Sequence, residues 1–200
     1  MHTFNANKLE DIALADEFNA YDNDEEVIEN KNIVLTSDVT IVGKVMFCCC
    51  TIDVGEYSII SDDLFILENC KVTAKGERDT PAILAPHGEV RNCTFSTGSR
   101  PALTAKTIKY IDFINCRGIT CGKGIGLNVL EYCTFHQCKD INVIDGVLNT
   151  CTFTECEGIN AENSEVLNCD FENILCQKQD LLSENYTLIT NCTFEYGGKL

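Results

Sequence analysis

Apolar residues recur along this chain in a fixed frame. The unit Val90-Arg91-Asn92-Cys93-Thr94-Phe95 returns as Val166-Leu167-Asn168-Cys169-Asp170-Phe171 and as Ile189-Thr190-Asn191-Cys192-Thr193-Phe194. Leu130 to Phe135 and Leu148 to Phe153 repeat it with Tyr132 and Thr150 in place of the Asn. With the Cys as the zero position, the frame falls at Cys50, Cys70, Cys93, Ile111, Cys133, Cys151, Cys169 and Cys192, in steps of 20, 23, 18, 22, 18, 18 and 23 residues. Three residues before it stand Phe47, Leu67, Val90, Ile108, Leu130, Leu148, Val166 and Ile189; two after it stand Ile52, Val72, Phe95, Phe113, Phe135, Phe153, Phe171 and Phe194. All are apolar, and recurrence at a fixed period is the mark of a repeat architecture.

Zero and +2 share one face of a strand, because side chains alternate. Position −3 joins them only if the chain bends in between. Asn69, Asn92, Asn168 and Asn191 sit at that bend, and Asn tolerates the left-handed conformation better than most residues. A further apolar pair (Ile119 and Cys121, Ile141 and Val143, Ile159 and Ala161) predicts a third strand. One coil then holds about three short strands. Coils stacked in parallel at about 4.8 Å bury one continuous column that no coil could bury alone.

A bend Asn followed by Cys-x-Phe at a period near twenty resembles the right-handed parallel β-helix of the pectate-lyase-like superfamily, over residues 33–197. The resemblance implies an all-β, right-handed solenoid of about eight coils. For function it implies a range, because that fold hosts lyases, hydrolases, tailspikes, adhesins and plain scaffolds. Its polysaccharide enzymes set acids and a basic residue on the outer face of one sheet. The matching outward positions here, Thr120, Asn142 and Asn160, carry no carboxylate. Asp62 and Asp63 form the adjacent Asp pair but stand in a corner, and Asp140 and Glu162 are single. Glycoside cleavage needs two carboxyls converging on one bond, so no catalytic set is expected.

Lys8 to Tyr21 carries Leu9, Ile12, Ala13 and Phe18 at helical spacing. It predicts an α-helix covering the N-terminal end of the stack. Asp22 to Asn32 reads as an acidic connector; it lacks the Gly and the apolar position of a calcium loop. The domain division is therefore 1–32 for cap and connector and 33–200 for the β-helix. The longest corner insertions are Lys75 to Pro86 and Gln177 to Asn185, and insertions in solenoids often carry binding. Arg78, Asp79, His87 and Arg100 around the first of them form the candidate binding face. The Gly-rich stretch Cys121 to Gly126 has no helix pattern after it and so is not a phosphate loop.

The formal charge is −16, from 31 acidic against 15 basic residues. Such a surface repels nucleic acid and anionic membranes, and no apolar run approaches the ~20 residues of a membrane span. The first residues, Met1 to Phe4, lack the basic start and apolar run of an export signal. Together with 14 Cys this predicts a reducing, cytoplasmic setting and free thiols. Ten of the Cys form two rows, seven at zero and Cys116, Cys138 and Cys156 five residues on. In-register neighbours at about 4.8 Å lie somewhat beyond disulfide reach, so the rows read as core ladders. Cys48 to Cys50 and Cys133 to Cys138 contain no CxxC pair, and His2, His87 and His136 are isolated. No metal or other cofactor is expected. The outward Thr row (Thr51, Thr94, Thr134, Thr152, Thr193) is broken by Lys71, Asp112 and Asp170, unlike a flat ice-binding array.

Past Phe194 only six residues remain, which predicts an uncapped final coil. The expected function is a non-catalytic scaffold or protein-interaction module that self-associates through Phe194 and Tyr196, with a protein partner or a second copy. Two alternatives are a carbohydrate-binding or carbohydrate-active protein, and an acidic inhibitor or immunity-type protein for a basic partner.

Overall fold

The structure, a computed structural model, describes residues 18–19, 26–122, 126–174 and 188–196. Through them the chain winds as an all-β parallel solenoid of about eight coils. The coil from Gly146 shows the plan. Gly146–Asn149 lies on the first face, Thr152–Thr154 on the second and Glu157–Glu162 on the third. The first two pair in parallel with their equivalents one coil before and after, and the third pairs with its equivalent one coil before. The second face is its own sheet. The third and first faces run together, because Ile83–Arg91 and Pro101–Lys109 pass from one to the other without a break.

Positive φ makes the corners. In this coil Thr150 (φ 51), Glu155 (φ 54) and Asn163 (φ 48) each reverse the inward–outward alternation. The first corner repeats at Asn30, Cys49, Asn69, Asn92, Tyr110, Tyr132, Thr150, Asn168 and Asn191, with φ between 51 and 55. The predicted Asn bends are all there. The residue after most first and second corners is buried, and in most coils it is Cys. Its chemistry explains why. The Sγ of Cys151 accepts the N–H of Cys133 at 3.4 Å and lies 3.3 Å from the carbonyl of Asn149, to which it can donate. A buried amide left by the turn thus finds a partner, as a buried N–H must. Ser164 does the same at the third corner. Its Oγ accepts from the Gly146 N–H at 3.2 Å and donates to the Glu162 carbonyl at 2.7 Å. A Cβ on Gly146 would come within 2.4 Å of the Asn128 oxygen, so the coils meet there only through glycine.

The core is one column. Phe95, Phe113, Phe135, Phe153, Phe171 and Phe194 stack with ring centroids 4.6 to 5.4 Å apart. Third-face positions Ile119, Ile141 and Ile159 are buried in register with one another. Outside, ion pairs span successive coils: Lys109 with Glu131 at 2.9 Å, Arg117 with Asp140 at 2.8 Å, and Lys139 with Glu157.

Two expectations change at the start of the chain. The stack begins before residue 33. Glu26–Glu29 pairs in parallel with Val45–Cys48, inside the stretch read as an acidic connector. Ile28, Asn30, Lys31 and Ile33 are a full repeat unit, with Lys at the position that Cys holds elsewhere. Second, Phe18–Asn19 is a short strand paired with Ile41–Val42, not the end of a helix, because the edge of the third face offers it backbone partners. The rest of the expected capping helix lies outside the described residues, as does the Gln177 to Asn185 insertion.

Candidate functional site

The insertion that follows Lys71–Ala74 brings two of its four predicted residues together. Arg100 is fully buried. Its Nη2 donates to the Ser58 Oγ at 2.6 Å, its Nη1 to the Gly55 carbonyl at 3.0 Å and its Nε to the Thr80 carbonyl at 3.2 Å. Burial lowers the affinity of this guanidinium for its proton, the nearby Arg78 adds to that, and Asp38 opposes it. Arg78 grips Asp38 with both guanidinium nitrogens, at 2.7 and 3.0 Å, and also donates to the Glu56 carbonyl at 2.9 Å. Asp38 accepts the Ser58 N–H at 2.9 Å. The hydrogen bond from Arg78 holds the Asp38 carboxyl below its ordinary range.

Arg78, Asp38, Ser58 and Arg100 therefore form one brace across successive coils. It satisfies the carbonyls of an irregular corner, and both arginines spend their donors inside the molecule. Asp79 is exposed beside Arg117 and takes no part in the brace. His87 sits half-buried at the irregularity between Ala85 and Glu89, apart from it. The four residues do not converge on one ligand position.

The third-face outer row is as the pattern predicts, with Thr104, Thr120, Asn142 and Asn160 in register and Thr104 buried. It carries no carboxylate. Asp140 is held by Arg117, and Asp63 accepts the N–H of Gly43, 20 residues away, at 2.9 Å. Among the described residues no group of three or more His, Cys, Asp or Glu is placed to hold a metal ion. No helix among them is long and apolar enough to cross a membrane.

Two surface features escape the sequence pattern. Tyr110 and Tyr132, both exposed on the first corner, stack in parallel with centroids 5.0 Å apart. Their signal was present, since both occupy the bend position, but nothing in the spacing said that the rings would meet. Cys48 and Cys49 point outward with their sulfurs 3.5 Å apart, while Cys50 turns into the core.

At the far end, Leu188–Thr190 and Thr193–Tyr196 pair with the preceding coil. Phe194 stacks on Phe171 at 4.7 Å but is only half-buried, and Leu188 is 56% exposed. Tyr196 ends its strand opposite Ile174. Neither a family model nor a curated protein sequence matches this chain.

Proposed function

We propose that this protein is a non-catalytic scaffold that associates with a second copy of itself through the coil formed by Leu188–Thr190 and Thr193–Tyr196. The observation that carries the proposal is the exposed apolar side chain of Leu188, at 56%, on that coil. Phe194 of the same coil is half-buried, where Phe95 to Phe171 of the same row are fully buried. A second copy covers that apolar surface, and strand edges pair readily with another chain. The brace around Arg100 supports the non-catalytic part, because it commits the basic groups of the insertion face to internal carbonyls and to Asp38. On this reading the protein is cytoplasmic, and its finer classification is the right-handed pectate-lyase-like β-helix. The right hand follows from the strong preference of parallel crossovers.

The test is the mass in solution by light scattering across a concentration series. The wild-type chain should gain mass with concentration. Phe194→Asp should remain monomeric, and so should Leu188→Lys, which changes an already exposed side chain. A wild-type monomer at every concentration overturns the proposal.

A further inference from the structure

The dithiol at the first corner of the second repeat is independent of the C-terminal coil. Three consecutive cysteines divide there into two kinds. Cys50 is buried, and its Sγ lies near the carbonyls of Ile28 and Cys48 at 3.4 and 3.3 Å, as in the other ladder positions. Cys48 and Cys49 are not core groups. Cys49 is exposed, Cys48 is half-exposed, and their sulfurs stand 3.5 Å apart. The corner does not need sulfur at Cys49, since the same position is filled by Asn, Tyr or Thr in other coils.

The surroundings favour a soft cation. Cys48 stands in register between Glu29 of one neighbouring coil and Glu68 of the other, so carboxylates flank it on both sides. Arg91 reaches Glu68 at 3.4 Å from the far side. Met46 alternates with Cys48 toward the outside of the same strand and adds a thioether to that surface. Thiolate and thioether sulfur suit Cu(I), Zn²⁺ and Fe–S clusters, and since structural Zn²⁺ takes four ligands a two-sulfur pair favours Cu(I). The pair is less suited to closing on itself. Consecutive Cα atoms are about 3.8 Å apart, shorter than the roughly 4.4–6.8 Å usual across a disulfide.

We propose that Cys48 and Cys49 form a surface two-thiolate site for a soft monovalent cation of the Cu(I) class. Both S–H protons leave to solvent as the two sulfurs bind. The metal keeps its charge, and no electron is transferred. In the free protein the hydrogen bond with Cys49 holds the Cys48 thiol above its ordinary range, and Glu29 and Glu68 add to that. The cation therefore displaces protons rather than meeting preformed thiolates.

The experiment titrates the reduced full-length protein with Cu(I), supplied as its acetonitrile complex under anaerobic conditions, against a chromogenic Cu(I) chelator. Wild type should take up one equivalent in competition, and its rapidly reacting thiol count should fall by two. Cys48→Ser and Cys49→Asn should each weaken uptake at least tenfold. Cys49→Asn installs the residue that most suits this bend, so a loss there reports the thiol and not the fold. Undiminished uptake by Cys49→Asn, no uptake by wild type, or preferential binding of Zn²⁺ would each overturn the proposal.

Discussion

At the scale of the residue, the corner positions set the rules. A left-handed backbone suits Asn and is costly for a β-branched residue. Thr150 adopts it at φ 51, exposed, with its hydroxyl donating to the half-buried Asn149 at 3.0 Å. Thr150→Asn should therefore stabilise the protein by about 1 kcal/mol, read as a rise in the urea midpoint with an unchanged slope. A lower midpoint would show that the Thr150 hydroxyl matters more than the backbone. The Cys that follows has a separate task. Its sulfur is small enough to turn into the column and polar enough to receive the neighbouring coil's amide. Ile111 shows that an apolar residue also fits the position when the corner is otherwise well packed.

At the scale of the element, the Phe ladder joins the coils. Phe153 lies between Phe135 and Phe171 at 4.6 and 4.8 Å, fully buried. Phe153→Ala, or Phe135→Ala, should cost about 3–5 kcal/mol. Calorimetry would detect this as a large fall in the unfolding temperature; an unmoved transition would contradict the stacking. This ladder was legible because a strand's alternation places Cys and Phe two apart in every coil. The rung at Lys31 was not, since a charged residue replaced the Cys and hid an otherwise complete unit. The Arg100 brace could not be read at all. Its partners Gly55 and Ser58 are 45 and 42 residues away, joined across a corner of irregular length, and such contacts leave no periodic trace. The Cys48–Cys49 pair was missed for a different reason. Metal spacings of the CxxC kind pass over adjacent residues, and only the turn at Cys49 sends both sulfurs outward.

At the scale of the whole molecule, the buried thiols link stability to alkaline pH. Burial, with the charge of Cys133 adding to it, pushes Cys121 from 9.0 up to about 12. Cys138 is drawn down by its hydrogen bond with Cys116, but the bond with Cys156 and burial leave it at about 11. Cys50, Cys116 and Cys151 are also raised, while Cys93 and Cys169 are lowered by their bonds to Cys70 and Cys151. A thiol raised on folding gives stability that is complete below the unfolded value near 9 and is lost as pH climbs through the folded one. The raised thiols outnumber the lowered ones. Cys93 and Cys169 add stability as pH rises toward 9 and the raised thiols lose it above, so urea unfolding midpoints should fall between pH 9 and 11. Each raised thiol contributes a slope of up to about 1.4 kcal/mol per pH unit. Cys121→Ala should lessen that fall; an identical profile would remove Cys121 from the account.

The step from Cys133 to Cys151 to Cys169 is 18 residues each time, and it returns the chain to the same corner with the same neighbours above and below. Length in this molecule is consequently digital. Removing residues 134–151 would place Thr152 and Phe153 directly after Cys133, facing Asp112 and Phe113 in the register that Thr134 and Phe135 now hold. The rod would shorten by one increment of about 4.8 Å while every interface along it kept its kind.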